Sequence, residues 1–220
     1  MTLQPVQFGD EGQVATRELA VRYREACLRD ARLVALRPGF DMLEAIDRQY
    51  GGSRRLELED TDALVAGLLN DLARLRAEAD LTIGVALWAM RHEVEMGAVE
   101  TVVNALAQRS NEARSPQELA AVFGLMQGVI ANVTPLLVAD LERSNPERPW
   151  RILHLNFAIT AIRTEDGDMM DFAFDALDDA LPDERGGFYS EAMALALGPS
   201  VAPTVRERIE ARHLKWTADR

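Results

Sequence analysis

The stretch Trp150–Arg185, WRILHLNFAITAIRTEDGDMMDFAFDALDDALPDER, decides the fold. Its first half is apolar and free of glycine and proline up to Gly167. Its second half places Met170, Phe174 and Leu177 on one helical face and Asp168, Asp171, Asp175 and Asp178 on another, in steps of three and four. A strand would alternate at period two, and this stretch does not. The pattern predicts a helix, a short break and a second helix. Two helices alone cannot bury both apolar faces, so neighbours of the same kind must stack on them.

The flanking sequence has the same layout. Blocks starting at Thr82, Pro116, Trp150 and Gly186 each read as an apolar helix, a break and a more polar helix. The breaks fall at Gly97, Asn132–Pro135, Gly167 and Gly198–Pro203. The spacing is about thirty-five residues, the scale of helical-hairpin repeats. Arg109-Ser110-Asn111 recurs as Arg143-Ser144-Asn145 one block later. Val99, Val102 and Leu106, then Leu137 and Leu141, would supply the shared core beside Met170, Phe174 and Leu177.

On this repeat length and on the small residues at the turns, Gly97 and Gly167, residues 82–220 resemble the tetratricopeptide-like helical hairpins. The resemblance implies an all-α fold of stacked antiparallel hairpins forming a superhelix. The chain departs from the family pattern at Phe172, Ala176 and Asp179, which stand where that pattern has alanine, an aromatic residue and alanine. No binding residue is therefore carried over. A closed multi-helix bundle is the alternative, because short loops between similar helices also repeat.

Residues 1–12 read as a tail punctuated by Pro5, Gly9 and Gly12, and residues 13–80 as N-terminal helices packing on the main domain. A helix over Gln13–Leu36 would turn Ala20, Tyr23, Cys27, Ala31 and Val34 inward and stop at Pro38-Gly39. A shorter one, Asp41–Tyr50, would bury Leu43, Ile46 and Tyr50 and stop at Gly51-Gly52. LELED, Leu56–Asp60, is the only strand-like run. A third helix, capped by Asp60 or Thr61, would bury Leu64, Leu68, Leu72 and Leu75.

The net charge of −12 argues against general binding to nucleic acid or anionic lipid, both of which need a basic surface. Arg143, Arg148 and Arg151 come closest to one, and Glu142 and Glu147 dilute them. No apolar run reaches the length of a membrane span. The N-terminus has no basic region followed by an apolar core, so no secretory signal is expected and a cytoplasmic location is. The lone Cys27 excludes an intrachain disulfide framework and reads as an inert buried thiol. There is no phosphate-binding glycine loop and no nucleophile elbow, so enzyme activity is not indicated and no cofactor is implied.

Two residue sets remain. LWAMRHEVEMGAVE, Leu87–Glu100, puts His92 and Glu95 three apart on a helix. With His154 they are the only plausible anchors for a metal or small ligand between helices, although helical di-metal sites use the reverse order, Glu then His, twice. The simpler reading is an ordinary helix burying Leu87, Met90, Val94 and Ala98, with His92 and Glu95 solvated and Arg91 paired to Glu95.

The second set is the ridge Asp168, Asp171, Asp175 and Asp178. It lies in a block, Glu165–Glu184, that holds nine acids and no Lys or Arg. Acids at the end of that helix oppose its dipole, so a basic partner, in trans or from elsewhere in the fold, would explain them; a solvated face is the simpler reading and a weak divalent-cation site a third. The sequence thus predicts a non-enzymatic adaptor, assembly factor or regulator. It would bind a protein or peptide, the basic kind favoured, along a groove between first helices. The alternative is a helical bundle holding a metal or small ligand. Homodimerisation through an exposed apolar helix, the first one for example, is compatible with either, and Trp216 would cap the core near the C-terminus.

Overall fold

The computed structural model describes residues 11–50, 60–132, 145–198 and 201–217. It is all-helical, with ten α-helices, one 3-10 helix and no strand among the described residues. No described helix is long and apolar enough to cross a membrane. The chain forms two compact units, one of Met1–Arg109 with Gln127–Leu141, the other of Ser110–Met126 with Glu142–Arg220.

The first unit is built around α4 (Ala79–Arg91), on which α1 (Glu11–Arg29) and α3 (Thr61–Leu75) pack; α2 (Arg37–Tyr50) packs on α1. Leu81, Ile83, Val85, Ala86, Trp88, Ala89 and Met90 of α4 are all buried, as in a helix apolar on every side. Gly84 permits the close approach of α1, since a Cβ there would lie 2.5 Å from Leu19 Cδ1.

The N-terminal helices differ from expectation at one turn. α1 ends at Arg29, and Asp30 is extended at φ −135°. The Asp30 carboxylate accepts from the Arg32 N–H at 3.0 Å and starts a 3-10 helix, Ala31–Leu36. That local bond competes with helix continuation, as short acidic side chains do. Pro38 then falls in the first turn of α2, where its missing N–H costs nothing, and does not stop the preceding helix. The inward face becomes Leu19, Tyr23, Ala26, Leu33 and Leu36, with Cys27 half-buried and Ala31 and Val34 exposed. Leu43 and Ile46 are buried as expected. In α3 the buried stripe is Val65, Leu68, Leu69 and Leu72, with Leu64 and Leu75 half-buried. Asp60 precedes α3 without a side-chain capping bond. Residues 1–10 of the expected tail, the Gly51-Gly52 stop and residues 56–59 of the strand-like run lie outside the described residues.

The stretch Leu87–Glu100 is not one helix. α4 stops at Arg91, and Glu93 adopts the left-handed conformation at φ 54°. The Glu93 N–H donates to Met90 O at 3.2 Å and the Val94 N–H to Ala89 O at 2.9 Å, the paired bonds that close a helix end. Gly97 lies inside the connection to α5 (Val99–Glu112). Val99, Val102 and Leu106 are buried.

α6 (Pro116–Asn132) ends where the second break was expected; the rest of that break, Leu137, Leu141 and Arg143-Ser144 are not described. In the second unit α7 (Pro149–Thr164) folds back on α8 (Gly167–Ala180), and α9 (Arg185–Ala196) on α10 (Pro203–Thr217), which also touches α8. Glu165, left-handed at φ 59°, ends α7, and Asp166 caps α8 by accepting from the Asp168 and Met169 N–H groups at 2.9 and 3.0 Å. The core here holds Leu153, Phe157, Met170, Phe174, Leu177 and Tyr189, with Phe123 stacked on Phe157 at 4.3 Å.

Candidate functional site

Three of the four ridge acids on α8 find cations within the fold. Asp171 pairs with Arg208, and Arg212 reaches Asp175 at 2.7 Å and Asp178 at 2.8 Å. Arg208 and Arg212 are one turn apart on α10 and match the spacing of the acids on α8. Asp178 is buried and also accepts from the Tyr189 hydroxyl at 2.9 Å and the Trp216 indole N–H at 2.8 Å. Two cations lie over the Trp216 ring, Arg185 at 3.5 Å and Lys215 at 4.3 Å from its centroid. Burial and then the Asp178 charge push the Tyr189 phenol well above its ordinary range. A Cβ at Gly167 would overlap the Arg208 guanidinium, so a side chain there would displace that flexible group from the ladder. Asp168 is exposed in the first turn of α8, where its charge suits the helix dipole. The cost of acids at the α8 terminus is thus offset by α10.

His92 is not solvated. The left-handed turn at Glu93 leaves it as the last residue of the α4 end, fully buried, with Nε2 2.6 Å from Asp47 Oδ1. A carboxylate only accepts, so Nε2 carries the proton of that bond. Buried Arg91 donates to both Asp47 oxygens at 2.6 and 2.7 Å, and the Trp88 indole N–H donates at 3.0 Å. Arg91 therefore pairs with Asp47 of α2 and not with Glu95. Glu95 is exposed, and its backbone N–H donates to Asp62 at 3.2 Å. His154 belongs to the other unit, where it is buried 4.1 Å from the Trp150 ring and its Nδ1–H donates to Trp150 O at 2.9 Å. Among the described residues no group of three or more His, Cys, Asp or Glu side chains is placed to hold a metal ion. Asp47 was invisible as a partner because forty-five residues separate it from His92.

A groove of about 710 Å³ runs between α7, α9 and α10. Buried Ala196, Val205 and Ile209 and half-buried Leu155 and Ile162 line it, and Ile159 and Leu195 stand 44% and 73% exposed on its two sides. Of its charged groups, Arg151, Glu184 and Arg163 are engaged within the unit, and Glu191 is exposed on the rim. Glu184 accepts from Arg148 at 2.6 Å and from Arg151. Burial pushes the Glu184 carboxyl up, but the bonds and charges of Arg151 and Arg148 more than reverse this and hold it below its ordinary value. Arg163 donates to Ser110 O at 2.7 Å and to Ala113 O at 3.4 Å, covering carbonyls at the end of α5. What the groove offers to a ligand is aliphatic surface. α7 and α9 are the first helices of the third and fourth sequence blocks, the position at which a groove was expected. Ile159 and Leu195 were not singled out, because at helical spacing an exposed groove residue and a core residue look alike.

Comparison with family models, with curated proteins and with solved structures finds no match to this chain.

Proposed function

We propose that the chain is a non-enzymatic interaction module, acting as an adaptor, assembly factor or regulator, that takes an apolar protein segment in the groove between α7 and α9. One observation carries the reading: Ile159 of α7 and Leu195 of α9 are both exposed along one largely aliphatic groove. Apolar anchors at i, i+4 and i+7 of a bound helix suit such a surface. Covering what remains exposed of the two side chains contributes at most about 1.5–3 kcal/mol each, less for Ile159, before the cost of ordering.

The same layout supports reading α7–α8 and α9–α10 as consecutive stacked hairpins of the tetratricopeptide-like kind, with the closed bundle as the alternative. The α8 ridge acts mainly by holding α10 in place. Exposed Asp168 and the outer side of Asp175 remain available to basic residues of a partner. A cytoplasmic location fits a chain with a single cysteine.

Ile159→Glu and Leu195→Glu test the proposal in pull-downs from the native host. Each should remove the same partner while the far-ultraviolet circular dichroism stays unchanged. Retention of every partner by both folded variants refutes the groove.

A further inference from the structure

The first unit carries a second apolar face, independent of the groove. Leu28 near the end of α1 is 88% exposed, and Val34 of the 3-10 helix is also exposed. Both border a cleft of about 530 Å³ whose walls include Tyr23, Cys27 and Phe40. Those walls are firm: Tyr23 stacks on Phe40 at 4.0 Å, and its hydroxyl donates to Leu33 O at 2.9 Å. A protruding leucine thus stands beside a preformed apolar hole.

The rim holds Arg24 and Arg37 together with Asp41 and Glu44. Among the described residues Arg24, Arg37 and Asp41 form no ion pair, and Glu44 reaches Arg48 only at 3.7 Å. Two cations and two anions leave the rim without net charge, whereas the chain as a whole carries −12. Copies of so acidic a protein repel one another over most of their surface, so a neutral apolar face is where two can meet at least cost. A two-fold axis brings one patch onto the identical patch, and a rim with equal numbers of arginines and carboxylates lets each copy's cations meet the other's anions.

We infer that this face joins two copies of the chain, with Leu28 of each seated in the other's cleft beside Cys27 and Arg24 and Arg37 opposite Asp41 and Glu44. Sedimentation equilibrium of the full chain should give a dimer. Leu28→Asp should yield monomer with an unchanged circular dichroism spectrum, since that side chain is exposed and its loss removes no core. Leu28→Cys, treated with a mild oxidant, should give a disulfide-linked dimer that Cys27→Ser removes. A chain monomeric at every concentration overturns the inference. So does a dimer indifferent to both Leu28→Asp and Val34→Asp, or a cross-link that survives Cys27→Ser.

Discussion

The Trp216 indole N–H and the Arg212 guanidinium converge on one oxygen of Asp178, Oδ2, each at 2.8 Å, while Tyr189 takes the other oxygen. One buried carboxylate of α8 therefore holds α9 and α10, two of the helices that line the groove.

Removing that carboxylate leaves Arg212 without its buried counter-charge. Asp178→Ala should cost about 3–5 kcal/mol of stability in urea unfolding, the range for breaking one side of a buried pair. Asp178→Asn should cost less, because it still accepts one hydrogen bond. A loss under about 1 kcal/mol for the alanine variant would show that the network does not hold the helices.

The Asp47–Arg91 pair plays the same part in the first unit, with His92 and Trp88 on the same carboxylate. Asp47→Ala should be destabilising by about 3–5 kcal/mol, whereas Glu95→Ala at an exposed position should stay within about 0.5 kcal/mol of wild type. Equal effects at the two sites would contradict the observed pairing.

Much of the architecture was readable. The all-helical class, the buried faces Val99-Val102-Leu106 and Met170-Phe174-Leu177, and the helix ends near Gly167, Asn132 and Pro203 follow from periodicity and from glycine and proline. The stops at Glu93 and Glu165 did not, because a non-glycine residue in the left-handed region has no sequence signature. The Asp30 turn was hidden too, since its bond to the Arg32 N–H is a local choice that tertiary packing decides. The ridge was legible as a charge imbalance. Its partners were not, as Arg208 and Arg212 lie 37 residues away from Asp171 and Asp175, with nothing in the sequence to link them.

Those left-handed positions are testable in themselves. Glycine adopts φ near +55° without a Cβ penalty, so Glu93→Gly and Glu165→Gly should each raise stability by up to about 1 kcal/mol despite the entropy glycine loses. Differential scanning calorimetry should show melting temperatures at or above that of wild type; Glu93→Ala should show no gain.

Acid should weaken the second unit through Glu184. Its folded pKa lies below the ordinary 4.5, so its contribution is fully present above 4.5 and is lost as pH falls through the folded value. Glu184→Gln should lower stability at neutral pH and flatten the acid limb of the stability curve. An acid limb as steep in the variant as in wild type would assign the loss to other carboxylates.

The groove itself is best probed where a partner would touch it, by placing a photo-crosslinking amino acid at Ile159 in the native host and irradiating intact cells. A single protein adduct is expected, abolished by Leu195→Glu and absent when the same amino acid replaces exposed Glu93 in the other unit. No adduct at Ile159, or one indifferent to Leu195→Glu, would contradict recognition through this surface.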